Sequence, residues 1–396
     1  MAGGTNRFDA RTLTVQGIAG IERIDWSAGS LILEWAQGAV GEFSSLWLRD
    51  NRPEDRDAHS GQRLVDVADL PADPRIRAVG VHGGAIVVEW DGEAAAARFE
   101  PGWLFAQTPA SGPRPELVRR RWPEGARLRP TRDFAWLDYA SIRGDSCGRG
   151  RWLMRLLEDG LAFLRGVPAT DAGILEAMAE VGRIAETNYG QVFDVRSVPQ
   201  PENLAYSDLG LGLHTDNPYR EPVPGFQALH ALVTSPDGGE SLFADGFALA
   251  DHLRASAPAD FACLAQTPVP FSYRTPAVEL YAERPLIQLA CDGSIAAVHY
   301  NNRSIAPLRL AAGPAARFYR AYRRFAQLLR EPDFQLTCRL EDGDLVVFDN
   351  QRVLHGRTGF SSARHPRHLR GCYLTRDSVL SQAACARRAA AAEPPR

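Results

Sequence analysis

PENLAYSDLGLGLHTDNPYREPVPGFQALHAL, residues 201–232, carries the one His-x-Asp triplet of the chain, His214-Thr215-Asp216. In extended backbone, residues i and i+2 share a face, so one imidazole and one carboxylate can reach a single metal ion without further distortion. Alone, such a triplet more often caps a helix or builds a turn. A third ligand must come from elsewhere, and GDLVVFDNQRVLHG, residues 343–356, offers one: an apolar strand ends in a polar turn that delivers His355. Two histidines and one carboxylate on one face of a metal, with other positions open, suit non-haem Fe(II) and O2 chemistry, although ligand affinity alone does not select iron over another ion. Twelve residues past His355, Arg367 begins RHLRGCYLTRD, a spacing that allows a turn and a return strand. Its guanidinium suits a two-pronged pair with a co-substrate carboxylate. His214, Asp216, His355 and Arg367 are therefore read as an iron site with a co-substrate anchor.

With 396 residues, 45% of them apolar, the chain can bury a large core, and its length suggests about two domains. A formal charge of −3, from 45 basic and 48 acidic residues, gives no electrostatic case for nucleic acid or a membrane surface, so a small-molecule substrate is expected. The N-terminal MAGGTNRFDART has no apolar segment or cleavage site, and no run approaches the roughly 20 apolar residues that span a bilayer, which predicts a cytoplasmic protein. Cys147, Cys263, Cys291, Cys338, Cys372 and Cys385 form no CxxC pair and are read as reduced, mostly buried thiols.

Residues 1–108 read as a small β-rich domain with strands at Leu31–Trp35, Phe43–Leu48, Ile76–Val81, Ala85–Trp90 and Ala95–Phe99, separated by Gly pairs and Asp-Gly turns. Residues 109–132, rich in Pro and Arg, read as an exposed connector with a solvated basic face. Residues 133–396 read as the second domain. It holds helices around Arg151–Glu158 and Ile174–Val181, the strand Leu161–Leu164, and an amphipathic helix over Pro314–Arg330 whose Phe318, Tyr322, Phe325 and Leu329 are read as core. The strands bearing the ligands suit two facing sheets of jelly-roll type, mainly β with flanking helices. The tail AACARRAAAAEPPR is read as a fraying helix end or disorder.

The ordered His214, Asp216, His355 and Arg367 resemble the Fe(II)/2-oxoglutarate dioxygenases. The runs ETNYGQVFDVRS, NLAYS, LHTDNPY, GGESLFADGF, VHYNNRS, FDNQRVLHGR and RHLRGCYLTRD resemble more closely their γ-butyrobetaine hydroxylase branch, in the TauD/TfdA-like family, and the likeness covers nearly the whole chain. It implies a double-stranded β-helix catalytic domain behind an auxiliary N-terminal domain, to which LWLRDN at 46–51 belongs. It also implies Fe(II), 2-oxoglutarate and O2, with Ser241 of GGESLF beside Arg367 at the co-substrate, and a tendency to form homodimers. Family members often bind zinc through cysteines after the RDN and a histidine after a later Asp-Gly. Here those places read RDNRPEDRDAHSG and Gly92-Glu93, and with only His59 and His82 nearby no structural zinc is expected.

Tyr189, Phe193, Tyr206 and Tyr373 flank the metal motifs. Such residues are ordinarily core, yet ring faces gathered beside a metal could box a quaternary ammonium, a cation that donates no hydrogen bonds. These four positions match the trimethylammonium cage of the γ-butyrobetaine hydroxylases, with Phe193 where animal members have Trp. For the substrate's anionic end the candidates are Asn203, Asn301 and Asn302, with Arg220 a weaker one; each is equally suited to stabilising a loop. The resemblance implies hydroxylation of a small trimethylammonium acid, first γ-butyrobetaine to carnitine. Trimethyllysine, a trimethylaminoethylphosphonate or a specialised metabolite is the alternative, and a non-catalytic ligand-binding protein a remote one.

Overall fold

The computed structural model describes residues 11–14, 20–108, 119–124, 128, 130–196, 209–361 and 367–392, and the chain divides into two compact units, residues 1–116 and 117–396. The first unit holds an antiparallel sheet of Arg11–Thr14, Ile21–Trp26, Ser30–Trp35 and Val40–Ser44, and a second of Ile76–His82, Ala85–Trp90 and Ala97–Phe99. Period-two burial explains the strands: Leu31, Leu33 and Trp35 are buried while Ser30, Ile32 and Glu34 between them are half-buried. Phe43–Leu48, expected as one strand, splits. The Ser44 hydroxyl accepts the Trp47 N–H at 3.2 Å and caps the helix Ser45–Asp50, so a local cap overrides the β-preference of Phe and Trp. From that helix Arg49 reaches Asp55 at 2.5 Å and Glu93 at 2.6 Å. An ion-pair cluster thereby links the segment after the RDN to the Gly92-Glu93 turn.

The second unit is a double-stranded β-helix. The larger sheet runs Ile184–Ala185, His368–Leu374, Phe226–Val233, Leu345–Asp349, Leu161–Arg165 and Trp136–Asp138, with Phe193–Arg196 also pairing to His368–Leu374. The smaller sheet runs Leu211–His214, Val353–Arg357, Ser241–Asp245 and Leu336–Cys338. The apolar run Leu345–Asp349 is buried on both faces, which accounts for its lack of polar alternation. Val346 and Phe348 face the space between the sheets, whereas Leu345 and Val347 join an outer helical layer with Trp152, Ile174 and Val379. Phe163, Phe243 and Phe348 fill the closed end of that space with no exposure, each contributing about 2–3 kcal/mol of burial. The open end is the site.

Helices cover the smaller sheet from outside, among them Ala312–Leu328, whose Phe318, Tyr322 and Phe325 are core as the periodicity predicts. Three expectations are corrected. Trp122, read as part of an exposed connector, is buried: its indole donates to the Asp159 carbonyl at 2.8 Å and its backbone N–H to Asp245 at 3.1 Å. The tail, read as a fraying helix end or disorder, begins inside the helix Arg376–Ala392, where Ala383 is buried. Of the six cysteines only Cys338 and Cys372 are buried; Cys147, Cys291 and Cys385 are exposed and Cys263 is intermediate. Among the described residues no helix is long and apolar enough to cross a membrane.

Candidate metal centre

His214 ends its strand opposite His355 on the neighbouring strand, as direct partners in the antiparallel register, and the two imidazoles lie 4.3 Å apart between ring centres. Asp216 comes to the same face because Thr215, between the ligands, is held the other way. Its backbone N–H donates to the Tyr300 carbonyl at 2.7 Å, and its hydroxyl accepts the Tyr300 N–H at 3.0 Å. The result is three donors within 4.8 Å of one another, among the described residues the one such cluster. Asp216 lies 3.2 Å from His214 Nε2 and 3.7 Å from His355 Nε2.

The donor set fits a divalent metal. His214 Nδ1 sits 2.9 Å from the Gly212 carbonyl, so that nitrogen carries the proton and Nε2 keeps its lone pair for an ion. Burial, then the facing His214, pull the His355 imidazole down to about 3; it is neutral, as a ligand must be. Burial alone would raise the Asp216 carboxyl, but His355, His214 and the Tyr373 hydroxyl hold it well below the usual carboxylate range. Tyr373 Oη donates to Asp216 Oδ2 at 2.8 Å, which orients the carboxylate and occupies one of its oxygens.

A cavity opens over the triad, and Ser241, Arg367, Tyr189, Phe193 and Tyr373 all line it. Ser241 is buried on the strand beside Val353–Arg357. Arg367 is also buried; it donates Nε to the Gly239 carbonyl at 3.1 Å, and a Cβ on Gly239 would come within 2.8 Å of its Cδ. Gly239 and Gly238, both at positive φ, thus let the GGES turn approach the arginine. Burial, and after it the Arg357 cation, pull the Arg367 guanidinium down to about 10, as befits a desolvated cation awaiting an anion.

The family profile described as taurine catabolism dioxygenase TauD, TfdA family matches residues 136–373. A gamma-butyrobetaine dioxygenase of Pseudomonas sp. (strain AK-1) is 38% identical over 363 residues, 90% of this chain and 93% of the relative. The chain belongs to the TauD/TfdA dioxygenase family. A mitochondrial trimethyllysine dioxygenase of Rattus norvegicus is 28% identical over 89% of this chain and 84% of its own. A solved asparagine oxygenase superposes with a TM-score of 0.47 at 21% identity, over 60% of this chain and 80% of its own. As a member of that family the chain is an Fe(II)/2-oxoglutarate-dependent dioxygenase, and the His214, Asp216 and His355 cluster supplies donors that suit its iron.

Other expected positions of this dioxygenase fall elsewhere. Tyr206 and Asn203 lie outside the described residues. Asn301 and Asn302 do not line the cavity: buried Asn301 donates to the Thr215 carbonyl at 3.0 Å, and exposed Asn302 accepts the Tyr322 hydroxyl at 2.9 Å. Asn301 therefore serves the ligand loop. Arg220 lies at the edge, bonded to Asn188 and 5.7 Å from the Tyr189 ring centre.

Several residues escaped the sequence reading. Asn350, fully buried, accepts the Asp216 N–H at 2.7 Å and donates to the Asp216 carbonyl at 3.0 Å, clamping the carboxylate ligand's backbone. The buried pair Arg352–Asp245, 2.8 Å, fixes the turn before His355. Arg303 and Arg357 join the cavity wall, and Tyr219 and Tyr273, stacked at 5.2 Å, back Tyr189. Polar residues in a turn after an apolar strand were the available signal for Asn350 and Arg352. None marked the others.

The aromatic wall depends on one glycine. Phe193 pairs with Gly371 across the sheet, its ring 5.1 Å from Tyr373, and a Cβ on Gly371 would fall inside that ring's van der Waals envelope. Gly371→Ala must therefore displace Phe193. We expect binding of tetramethylammonium, measured by calorimetry, to weaken about tenfold, with Fe(II) affinity unchanged. Unaltered tetramethylammonium binding would remove Phe193 from the onium wall.

Proposed function

We propose that this dioxygenase hydroxylates a small trimethylammonium acid, with γ-butyrobetaine giving carnitine as the first choice. The observation that carries the reading is an aromatic wall, Tyr189, Phe193 and Tyr373, lining the same cavity as a His/Asp/His cluster. Ring faces attract an onium head that water solvates weakly and that needs no hydrogen-bond acceptor. The Pseudomonas relative named gamma-butyrobetaine dioxygenase supports the choice of acid. Trimethyllysine is the second reading, favoured by the relatives named trimethyllysine dioxygenases.

Bound Fe(II) and 2-oxoglutarate supply the oxidising chemistry, one atom of O2 entering a C–H bond while the co-substrate leaves as succinate and CO2. The chain's own residues do the positioning. His214, Asp216 and His355 would hold the metal. Arg367 would fork onto the distal carboxylate of 2-oxoglutarate, with the Ser241 hydroxyl beside it. Tyr373 has two tasks, a ring face toward the onium and a hydroxyl on Asp216. None of these groups needs to move a proton from substrate, so outcome is set by which C–H bond the cavity presents.

Succinate release with γ-butyrobetaine, trimethyllysine, a trimethylaminoethylphosphonate and their dimethylamino analogues tests this. The expected order has γ-butyrobetaine fastest, with its dimethylamino analogue at least tenfold lower in kcat/KM, about the worth of a desolvated cation–π contact. Succinate release unaffected by every quaternary ammonium compound would refute the reading.

A further inference from the structure

The cavity wall carries three guanidiniums, those of Arg303, Arg357 and Arg367. Arg367 holds the Gly239 carbonyl and, in the reading above, the co-substrate; Arg357 lies over the Phe360 ring at 5.3 Å. Arg303 differs from both. Its backbone N–H donates to Asn301 Oδ1 at 3.2 Å, so the turn is fixed by the residue that also fastens Thr215, while the side chain reaches the cavity. Among the described residues no carboxylate lies within ion-pairing distance of it.

The groups that feel its charge are Asp216, Tyr219, Tyr373 and Tyr189, the metal ligand and the aromatic wall. Asp216 is already committed, to two imidazoles and the Tyr373 hydroxyl. The residue is exposed as a whole, yet the protein around its guanidinium depresses its pKa, desolvation being the largest cause. It nevertheless stays a cation at any physiological pH. A cation with no ion-pair partner among the described residues, beside a cavity whose inner wall suits an onium, is a poor neighbour for that onium unless an anion lies between them.

We propose that Arg303 grips the anionic end of the substrate and so restricts this enzyme to zwitterions: an onium at one end, a carboxylate at the other and no second cation near it. The inference rests on the trimethylammonium reading and deepens it. Aromatic faces hold an onium without fixing where the attached chain runs. A guanidinium fork at the far end adds the second point, stretching the intervening methylenes across the metal. Asn301 is bonded to Thr215 and neither it nor Asn302 lines the cavity, which leaves this task to the residue that follows them. The α-ammonium of trimethyllysine, beside its carboxylate, would meet Arg303 as a like charge.

The test pairs a change in the enzyme with a change in the substrate. For Arg303→Gln, kcat/KM toward γ-butyrobetaine is expected to fall about 100-fold, the worth of a charge-assisted hydrogen-bonded pair. The KM for 2-oxoglutarate should stay within about threefold, and Arg303→Lys should recover part of the loss. On γ-butyrobetaine methyl ester, which lacks the negative charge, the unmodified enzyme should lose a similar factor, and Arg303→Gln should treat acid and ester alike. An acid-to-ester preference in Arg303→Gln equal to that of the unmodified enzyme overturns the proposal. So does a fall in Fe(II) affinity of the same size, which would make Arg303 a partner of Asp216 instead. Thermal unfolding of each variant excludes loss of fold. Absence of turnover with every trimethylammonium acid in the unmodified enzyme would defeat the functional reading, a result distinct from either of these.

Discussion

Replacing His214 with alanine is expected to lower Fe(II) affinity by on the order of 10³-fold and to abolish succinate formation. The size follows from the geometry. His214 Nε2 is one of three donors within 4.8 Å, its proton fixed on Nδ1 by the Gly212 carbonyl at 2.9 Å. Removing it leaves an imidazole and a carboxylate, and Asp216 cannot make good the loss, since Tyr373 and Asn350 set its orientation. Asp216→Ala should be at least as severe, because it removes the one anionic donor of the triad. The measurements are Fe(II) titration under anaerobic conditions and 2-oxoglutarate turnover. Full iron stoichiometry with unaltered turnover in His214→Ala would sink the metal assignment.

Arg367→Met should raise the KM for 2-oxoglutarate by about 10²- to 10³-fold, with a much smaller effect on substrate affinity. Methionine keeps the length and the apolar stem packed on Gly239 but removes the fork. The loss is large because the guanidinium is buried and its charge already penalised by desolvation, so the anion that meets it finds little competing water. Arg357 is close enough to depress Arg367, yet it sits on another strand, and removing Arg367 does not bring it to the same point. Arg367→Lys should fall between, since an ammonium supplies charge without the planar fork. Steady-state kinetics with 2-oxoglutarate varied decides it: a KM within threefold of the unmodified enzyme would assign the co-substrate carboxylate to another group.

The parts of the site legible in the sequence are those with a local signature. His-x-Asp in extended backbone, a histidine at the end of an apolar strand, and an arginine opening the next strand each announce themselves within a few residues. Resemblance in the surrounding words then added the aromatic positions. The residues that escaped are defined by distant partners. Asn350 matters through Asp216, 134 positions earlier, and Arg352 through Asp245, 107 positions earlier. Arg303 reads like an ordinary loop arginine until its side chain is seen at the cavity. Asn301 and Asn302, expected at the substrate from their polarity and position near the motifs, are found bonded to Thr215 and Tyr322.

By itself, the sequence determined the donor set and the order in which it arrives along the chain. These follow from side-chain chemistry and from the two-residue period of extended backbone. Only the tertiary structure decided that His214 and His355 stand face to face in register, that Gly371 makes room for Phe193, and that Arg303, and neither Asn301 nor Asn302, lines the cavity. Those outcomes depend on which strands pair and which side chains already have partners, and both are settled when segments more than a hundred residues apart close on one another.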